Sequence, residues 1–302
     1  EAALDFPAKA WGQLENMYHG YSSRRDGMGR PLPCFCVKVP TGGGKTFLAV
    51  KTIDLVNTGY LKQQTGFVLW VVPTSQIYNQ TLKSLRDREH PYRQHLDIAS
   101  GGRTVILEKT EKFTPDDVCE NLVVMVLMLP SASRQNKETL RIFRDSGNFS
   151  EFFPSEDHVE AQQALLKQMS NLDTFESQNA FWGQQIKTSL GNTLRLLNPI
   201  LIMDEGHKAY SKTAQGTLQG FNPSIIVELS ATPPTESNVL VDISGIELNR
   251  EEMIKFDLHV INKASPDWKD TLLASHNHLM MLDEKAKARS EERRVGKECR
   301  SR

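Results

Sequence analysis

Seven consecutive residues, Pro40–Thr41–Gly42–Gly43–Gly44–Lys45–Thr46, constrain this chain more than any other stretch. They follow a short apolar run, Cys34–Val39, that reads as a strand, and they precede a helical pattern from about Lys45 to Val56. Strand, glycine-rich loop and helix in that order make a cradle for phosphate. The glycines let successive backbone N–H groups turn inward, and the helix N-terminus adds a partial positive charge. In such a loop Thr41, Gly42, Gly43 and Gly44 surround the phosphates of ATP, Lys45 reaches the β- and γ-phosphates, and the Thr46 hydroxyl binds Mg²⁺. The general pattern asks for glycine at position 39, where this chain has Val39. The plainer alternative is a glycine-rich turn that merely ends a strand.

Two further motifs gain their meaning from the first. Ile200–Met203 is an apolar strand that delivers Asp204 and Glu205 at its carboxyl end, followed by Gly206 and His207. Open α/β sheets bind ligands at that end. Asp204 there suits Mg²⁺, and Glu205 suits a general base for an attacking water. Alone, an Asp-Glu pair after a strand is as well read as a helix cap. The third motif, Ser230–Ala231–Thr232–Pro233, also follows an apolar strand, Ser224–Leu229. Its hydroxyls, Ser230 and Thr232, are placed to couple nucleotide state to neighbouring loops, although alone the motif is a Ser/Thr turn ended by proline.

The rest of the chain supports the same architecture. Phe67–Val72, Thr104–Leu107 and Leu122–Leu129 read as strands, and Ile77–Arg88 reads as an amphipathic helix. Leu122–Leu129 is apolar on both faces, as in parallel sheets covered on both sides. Strands alternating with helices predict an α/β fold with a parallel sheet. Between about 140 and 197 the pattern turns mostly helical, with Asp157–Met169 and Gln184–Leu197 at helical spacing, which predicts a helical insertion. Beyond it come strands near Val239–Ile243 and Leu258–Asn262 and a helix from about Trp268.

Composition narrows the function classes. With 39% hydrophobic and 24% charged residues the chain is that of a globular protein, and its 302 residues are enough to bury about 75% of the unfolded surface. The longest apolar stretch, Leu122–Pro130, is too short to span a bilayer. No leader pattern follows Glu1, so the reading is cytoplasmic. The four cysteines make no zinc pattern, and His276 and His278 form a His-x-His without neighbouring ligands. Net charge is −1, so any contact with nucleic acid is local rather than through a general basic field.

The order PTGGGKT, DEGH and SAT resembles the first RecA-like domain of superfamily 2 helicases. Val37–Thr52, Phe67–Arg88, Pro199–Pro234 and Asn238–Leu273 are similar to the restriction (Res) subunit of type III restriction enzymes and its DEAD/DEAH-like relatives. The resemblance implies a RecA-like P-loop NTPase fold and ATP·Mg²⁺ hydrolysis coupled to movement on double-stranded DNA. It implies a modification methyltransferase as partner, and a second RecA-like domain and a nuclease beyond this sequence. Thr74 and Gln80 then fall in one loop and helix that contact the DNA backbone, and Arg134 in a second such loop. His207 takes the family's histidine position, with Gly206 in place of the commoner alanine. Gln13, upstream of the phosphate loop, takes the place of an adenine-reading glutamine. Two other readings stay open: a helicase without a nuclease, and a nucleotide-dependent binding or switch module.

By this reading residues 1–282 form the RecA-like domain and 283–302 a linker and tail. The last fourteen residues, RSEERRVGKECRSR, hold six basic and three acidic side chains and share no periodicity with what precedes them. They read either as a basic nucleic-acid tail or as translated sequencing adapter, since AGA-TCG-GAA-GAG encodes Arg289–Ser290–Glu291–Glu292. We take the second reading and leave the tail out of the fold expectations.

Overall fold

Apolar runs flanked by loops become the strands of one sheet. The computed structural model describes residues 6–14, 20–128, 147–175, 184–205, 212–253 and 268–298. A short helix α1 (Phe6–Gly12) and a hairpin of β1 (Arg24–Arg25) and β2 (Pro31–Leu32) lead into β3 (Cys34–Lys38). The glycine loop turns the chain into α2 (Lys45–Leu55), which continues as a π-helical turn through Tyr60. Next come β4 (Gly66–Val72), α3 (Ser75–Arg86), α4 (Pro91–Ala99), β5 (Thr104–Glu108), α5 (Pro115–Glu120) and β6 (Leu122–Met128). A 3₁₀ turn at Ser150–Phe152, α6 (Val159–Gln168) and α7 (Leu190–Leu197) precede β7 (Ile200–Asp204). The unit closes with α8 (Lys212–Gln219), β8 (Ile225–Ser230), β9 (Val239–Asp242) and α9 (Gly245–Arg250).

Strands β3 to β9 form a seven-stranded sheet in the order β5-β6-β4-β7-β8-β3-β9, and every pairing is parallel. The fold is therefore α/β of the RecA type, as expected. Alternate residues of each strand enter two cores. Val68, Trp70 and Val72 pack with Ala49, Val50 and Ile53 of α2 and with Leu82, Leu85 and Leu96 of α3 and α4. Phe67, Leu69 and Val71 face the other side, with Leu190 and Leu194 of α7 and Leu218 of α8. Burial on both faces explains why β4 and β6 are unbroken apolar runs.

The insertion contributes to this second core rather than sitting outside it. Phe149, Phe153, Met169, Leu172 and Ile186 are buried there, and Phe113 stacks at a tilt on both Phe67 and Phe149. Its last helix starts at Leu190, not at Gln184. Ser189 caps it by accepting from the Asn192 N–H at 3.2 Å. The preceding residues are extended, with Ile186 bridged to Thr174. The Asn192 amide fixes that stretch by donating to the carbonyls of Asp173 and Lys187, each at 2.8 Å.

Other differences from the sequence expectations are local. Helix α3 begins two residues early because Thr74 caps it. Helices α4 and α5 were not expected, yet each has a proline in its first turn and a capping residue before it, His90 and Thr114. The chain divides into two compact units, Glu1–Lys255 and Phe256–Arg302, where the sequence reading carried the first domain to 282. The strand expected at Leu258–Asn262 lies outside the described residues. Among the described residues of the second unit, helix α10 (Trp268–Glu298) runs past position 288, where composition suggested a break. Among the described residues no helix is long and apolar enough to cross a membrane.

Strand β3 lies between the two cores, which gives a direct test of its burial. Cys34 and Cys36 are buried and Cys119 is exposed. Burial first, and then the nearby Glu228 carboxylate, push the Cys34 thiol well up and the Cys36 thiol up to about 12. In the unfolded chain both ionise near pH 8.5, roughly the ordinary cysteine value. Ionisation thus favours the unfolded chain as pH rises through that value, and stability should fall from there towards pH 12. At pH 8 we expect a thiol reagent to label Cys119 promptly and Cys34 and Cys36 only on unfolding, as read by mass spectrometry of the labelled peptides. Prompt labelling of Cys36 in folded protein would contradict the position of β3.

Candidate functional site

The three motifs end on three neighbouring strands. In the ladders Asp204 of β7 is opposite Leu229 of β8, and Ser230 of β8 is opposite Lys38 of β3. Adjacent strands are about 4.8 Å apart, so the acidic motif and the start of the glycine loop are roughly two strand spacings apart. The coupling motif stands between them. Backbone bonds join the pieces: the Val39 N–H donates to the Ser230 carbonyl at 3.0 Å, and the Gly43 N–H donates to the Pro40 carbonyl at 3.0 Å.

The glycines of the loop serve two different needs. Gly42 and Gly44 have φ of +88° and +82°, a left-handed conformation that side chains resist. Gly43 has no positive φ; it is buried, and a Cβ there would come within 2.7 Å of Leu248 and 2.6 Å of Val39. Gly44 is the N-cap of α2, with no side-chain cap, whereas Thr74, Thr114, Ser189 and Ser244 cap α3, α5, α7 and α9 with their hydroxyls. The start of α2 thus offers its backbone donors without a competing side-chain acceptor, which fits an anion such as phosphate.

Lys45, the first residue of α2, forms an ion pair with Glu205 across the strand ends. The two side chains are only 10% and 18% exposed, so the contact is poorly screened by water. Glu205 itself has φ of +52°. A left-handed backbone costs an ordinary residue about 1–2 kcal/mol, and such strain concentrates where a side chain must be aimed. Thr46 and Asp204 are half-buried at the same edge. Their chemistry, a hydroxyl and a carboxylate beside a phosphate cradle, suits Mg²⁺. Ser230 is buried and accepts from the Thr232 N–H at 3.2 Å, while Thr232 is exposed.

A family model described as "Type III restriction enzyme, res subunit" matches residues 30–235. The chain belongs to this family. The match spans β3 to β8 and so all three motifs. No curated protein matches the chain. Among solved structures it is similar to the crystal structure of the Pyrococcus furiosus Hef helicase domain. Identity is 18% and the TM-score 0.29, covering 68% of this chain and 30% of that one. The chain thus spans about a third of the length of that structure.

The remaining expected residues fall in several places. Thr74 follows β4 at the same edge of the sheet and accepts from the Ile77 N–H at 3.3 Å as the cap of α3. Gln80 is exposed on that helix. His207 and Arg134 lie outside the described residues. Gln13 is exposed in the turn after α1. That helix is anchored at the opposite edge: Phe6 stacks on Tyr60 at the far end of α2, and Trp11 packs on Tyr21, which bonds the Leu32 carbonyl.

Two residues of the site region were not expected. Leu248 packs behind Gly43. Asn238 donates to the carbonyls of Ser22 and Cys34 and accepts from the Ser22 N–H, fixing the end of the coupling segment. An Asn just before a strand is a readable turn signal for the latter; the former has no local signal. The loop geometry predicts that Gly44→Ala, which must hold φ near +82°, lowers unfolding free energy by about 1–2 kcal/mol. Equilibrium urea unfolding measures it, and an unchanged midpoint would contradict the left-handed turn.

Proposed function

We propose that this chain is the ATP-binding lobe of a helicase-like motor that hydrolyses ATP·Mg²⁺ to move on double-stranded DNA. The observation that carries the proposal is the meeting of Lys45 and Glu205 at the carboxyl ends of β3 and β7, beside an uncapped α2 N-terminus. Family membership supports it.

In this reading Thr41, Gly42, Gly43 and Gly44 and the first turn of α2 bind phosphate through backbone N–H groups. Lys45 neutralises charge on the β- and γ-phosphates. Phosphate competes with Glu205 for the Lys45 ammonium and so releases the carboxylate. Glu205 then takes the proton of the attacking water as general base. Thr46 and Asp204 are the residues that would hold Mg²⁺, which supplies positive charge to the phosphates. Ser230 at the end of β8 and Thr232 just past it, between the two motifs, sense the change at either side and pass it on. Thr74, Gln80 and Arg134 hold the DNA backbone, which positions the duplex without reading its sequence. His207, which follows the acidic pair in sequence, takes the family's histidine position. Full turnover needs a second RecA-like lobe that closes on the γ-phosphate and brings an arginine, a group worth about 10³–10⁵ in rate in related systems. The proposal extends to a cytoplasmic restriction complex with a modification methyltransferase and an associated nuclease.

Two substitutions test the assignment in a protein that carries both lobes. Lys45→Ala should abolish DNA-stimulated phosphate release; a rate within about threefold of wild type, under 1 kcal/mol of barrier, would sink the phosphate-loop role. Glu205→Gln should bind ATP normally and slow single-turnover hydrolysis by about 10²–10⁴-fold. Normal turnover in Glu205→Gln would move the base elsewhere.

A further inference from the structure

Helix α9 is a six-residue helix in which only Leu248 is buried; the other five residues are exposed, Ile246 by 68%. So short a helix has no stability of its own, and what docks it is the burial of that one side chain. Leu248 packs on the phosphate loop: a Cβ built on Gly43 would lie 2.7 Å from Leu248 Cδ1, 2.6 Å from Val39 Cγ1 and 3.2 Å from the Pro40 carbonyl. Gly43 is therefore closed in between the end of β3 and α9, and its lack of a side chain is a packing requirement.

The segment carrying Leu248 is pinned to β3. Strand β9 pairs parallel with β3, with Val241 opposite Val37 and Asp242 opposite Lys38. The Ile243 N–H donates to the Lys38 carbonyl at 2.9 Å. Ser244 and Glu247 form a reciprocal capping box at the start of α9, and the Met253 N–H donates to the Leu248 carbonyl at 2.9 Å at its end. Leu248 is thus delivered to the back of the loop from β9, the strand paired with the one that carries the loop.

We propose that α9 is a buttress of the phosphate loop and that Leu248 is its positioning residue, holding the Gly42–Gly44 backbone in the phosphate-cradling conformation from behind. This inference rests on the reading of that loop as the nucleotide site. Leu248 does not touch the phosphates; it acts through Gly43. Without it the loop has free space on one side, and the left-handed turns at Gly42 and Gly44 lose the contact that selects them from the many conformations open to glycine. Binding then bears the cost of ordering the loop.

The test uses the full 302-residue chain as wild type, Leu248→Ala, Leu248→Met and Lys45→Ala. Mg²⁺·ATP affinity is measured by titration calorimetry, and amide hydrogen exchange over residues 40–46 is measured without nucleotide. Leu248→Ala should raise Kd about tenfold and speed exchange in the loop while the central strands exchange as in wild type. Leu248→Met, which refills the space, should restore both. If Leu248→Ala does not accumulate folded, Leu248→Val gives the same comparison with a smaller loss of volume. Wild-type affinity and wild-type loop exchange in a folded Leu248→Ala or Leu248→Val protein would overturn the buttress. Absence of Mg²⁺·ATP binding by wild type, or undiminished binding by Lys45→Ala, would instead overturn the nucleotide reading, and the exchange comparison would still decide the role of Leu248.

Discussion

The parallel ladder across β7, β8 and β3 is the constraint on which the site depends. Lys45 and Glu205 are 160 positions apart in sequence, and nothing local draws them together. Their meeting follows from backbone hydrogen bonds that set Asp204 opposite Leu229 and Ser230 opposite Lys38. A slip of one residue in either ladder would turn every side chain of the slipped strand to the opposite core. Because both faces are buried, such a slip would move residues such as Val227 and Ile226 between unlike surroundings, and register is strongly fixed. Hydrophobic burial far from the site thereby fixes the site's geometry.

The same rigidity accounts for the irregular backbone at the strand ends. Glu205 at φ +52° and the left-handed Gly42 and Gly44 lie just past β7 and β3, where ladder hydrogen bonding stops. A residue held in a costly conformation persists only when its surroundings over-determine it. Here those surroundings are the two cores, the Lys45 ammonium in front of Glu205 and Leu248 behind Gly43. The site is a set of strained or uncapped ends held on a well-packed sheet, and that arrangement leaves backbone donors and paired charges available to a ligand.

Much of this was legible in the sequence because its signals are local. Strands β3 to β8 announce themselves as apolar runs of the right length, and the glycine loop and the Asp-Glu pair can be read from neighbours alone. Helices α4 and α5 carried local signals too, Pro91 after His90 and Pro115 after Thr114, but they are short and give little periodicity. The stretch 184–189 has helical spacing yet is extended, because the buried Asn192 amide spends its donors on the Asp173 and Lys187 carbonyls. Tertiary hydrogen bonding there outweighs propensity. One feature was beyond sequence reasoning in principle. Leu248 belongs to an unremarkable polar stretch and matters only because the sheet brings it to Gly43.

The central claim, that the glycine loop and the acidic strand end form one nucleotide site, is tested most directly by mapping where Mg²⁺·ATP binds. Backbone amide chemical shifts of the isotopically labelled 302-residue chain, followed through a titration, report each position separately. The account predicts saturable shifts concentrated at 41–46, at 204–205 and at 230–232, three segments remote in sequence that respond together with one affinity. Shifts confined to another part of the chain, or a loop that responds while 204–205 does not, would contradict it.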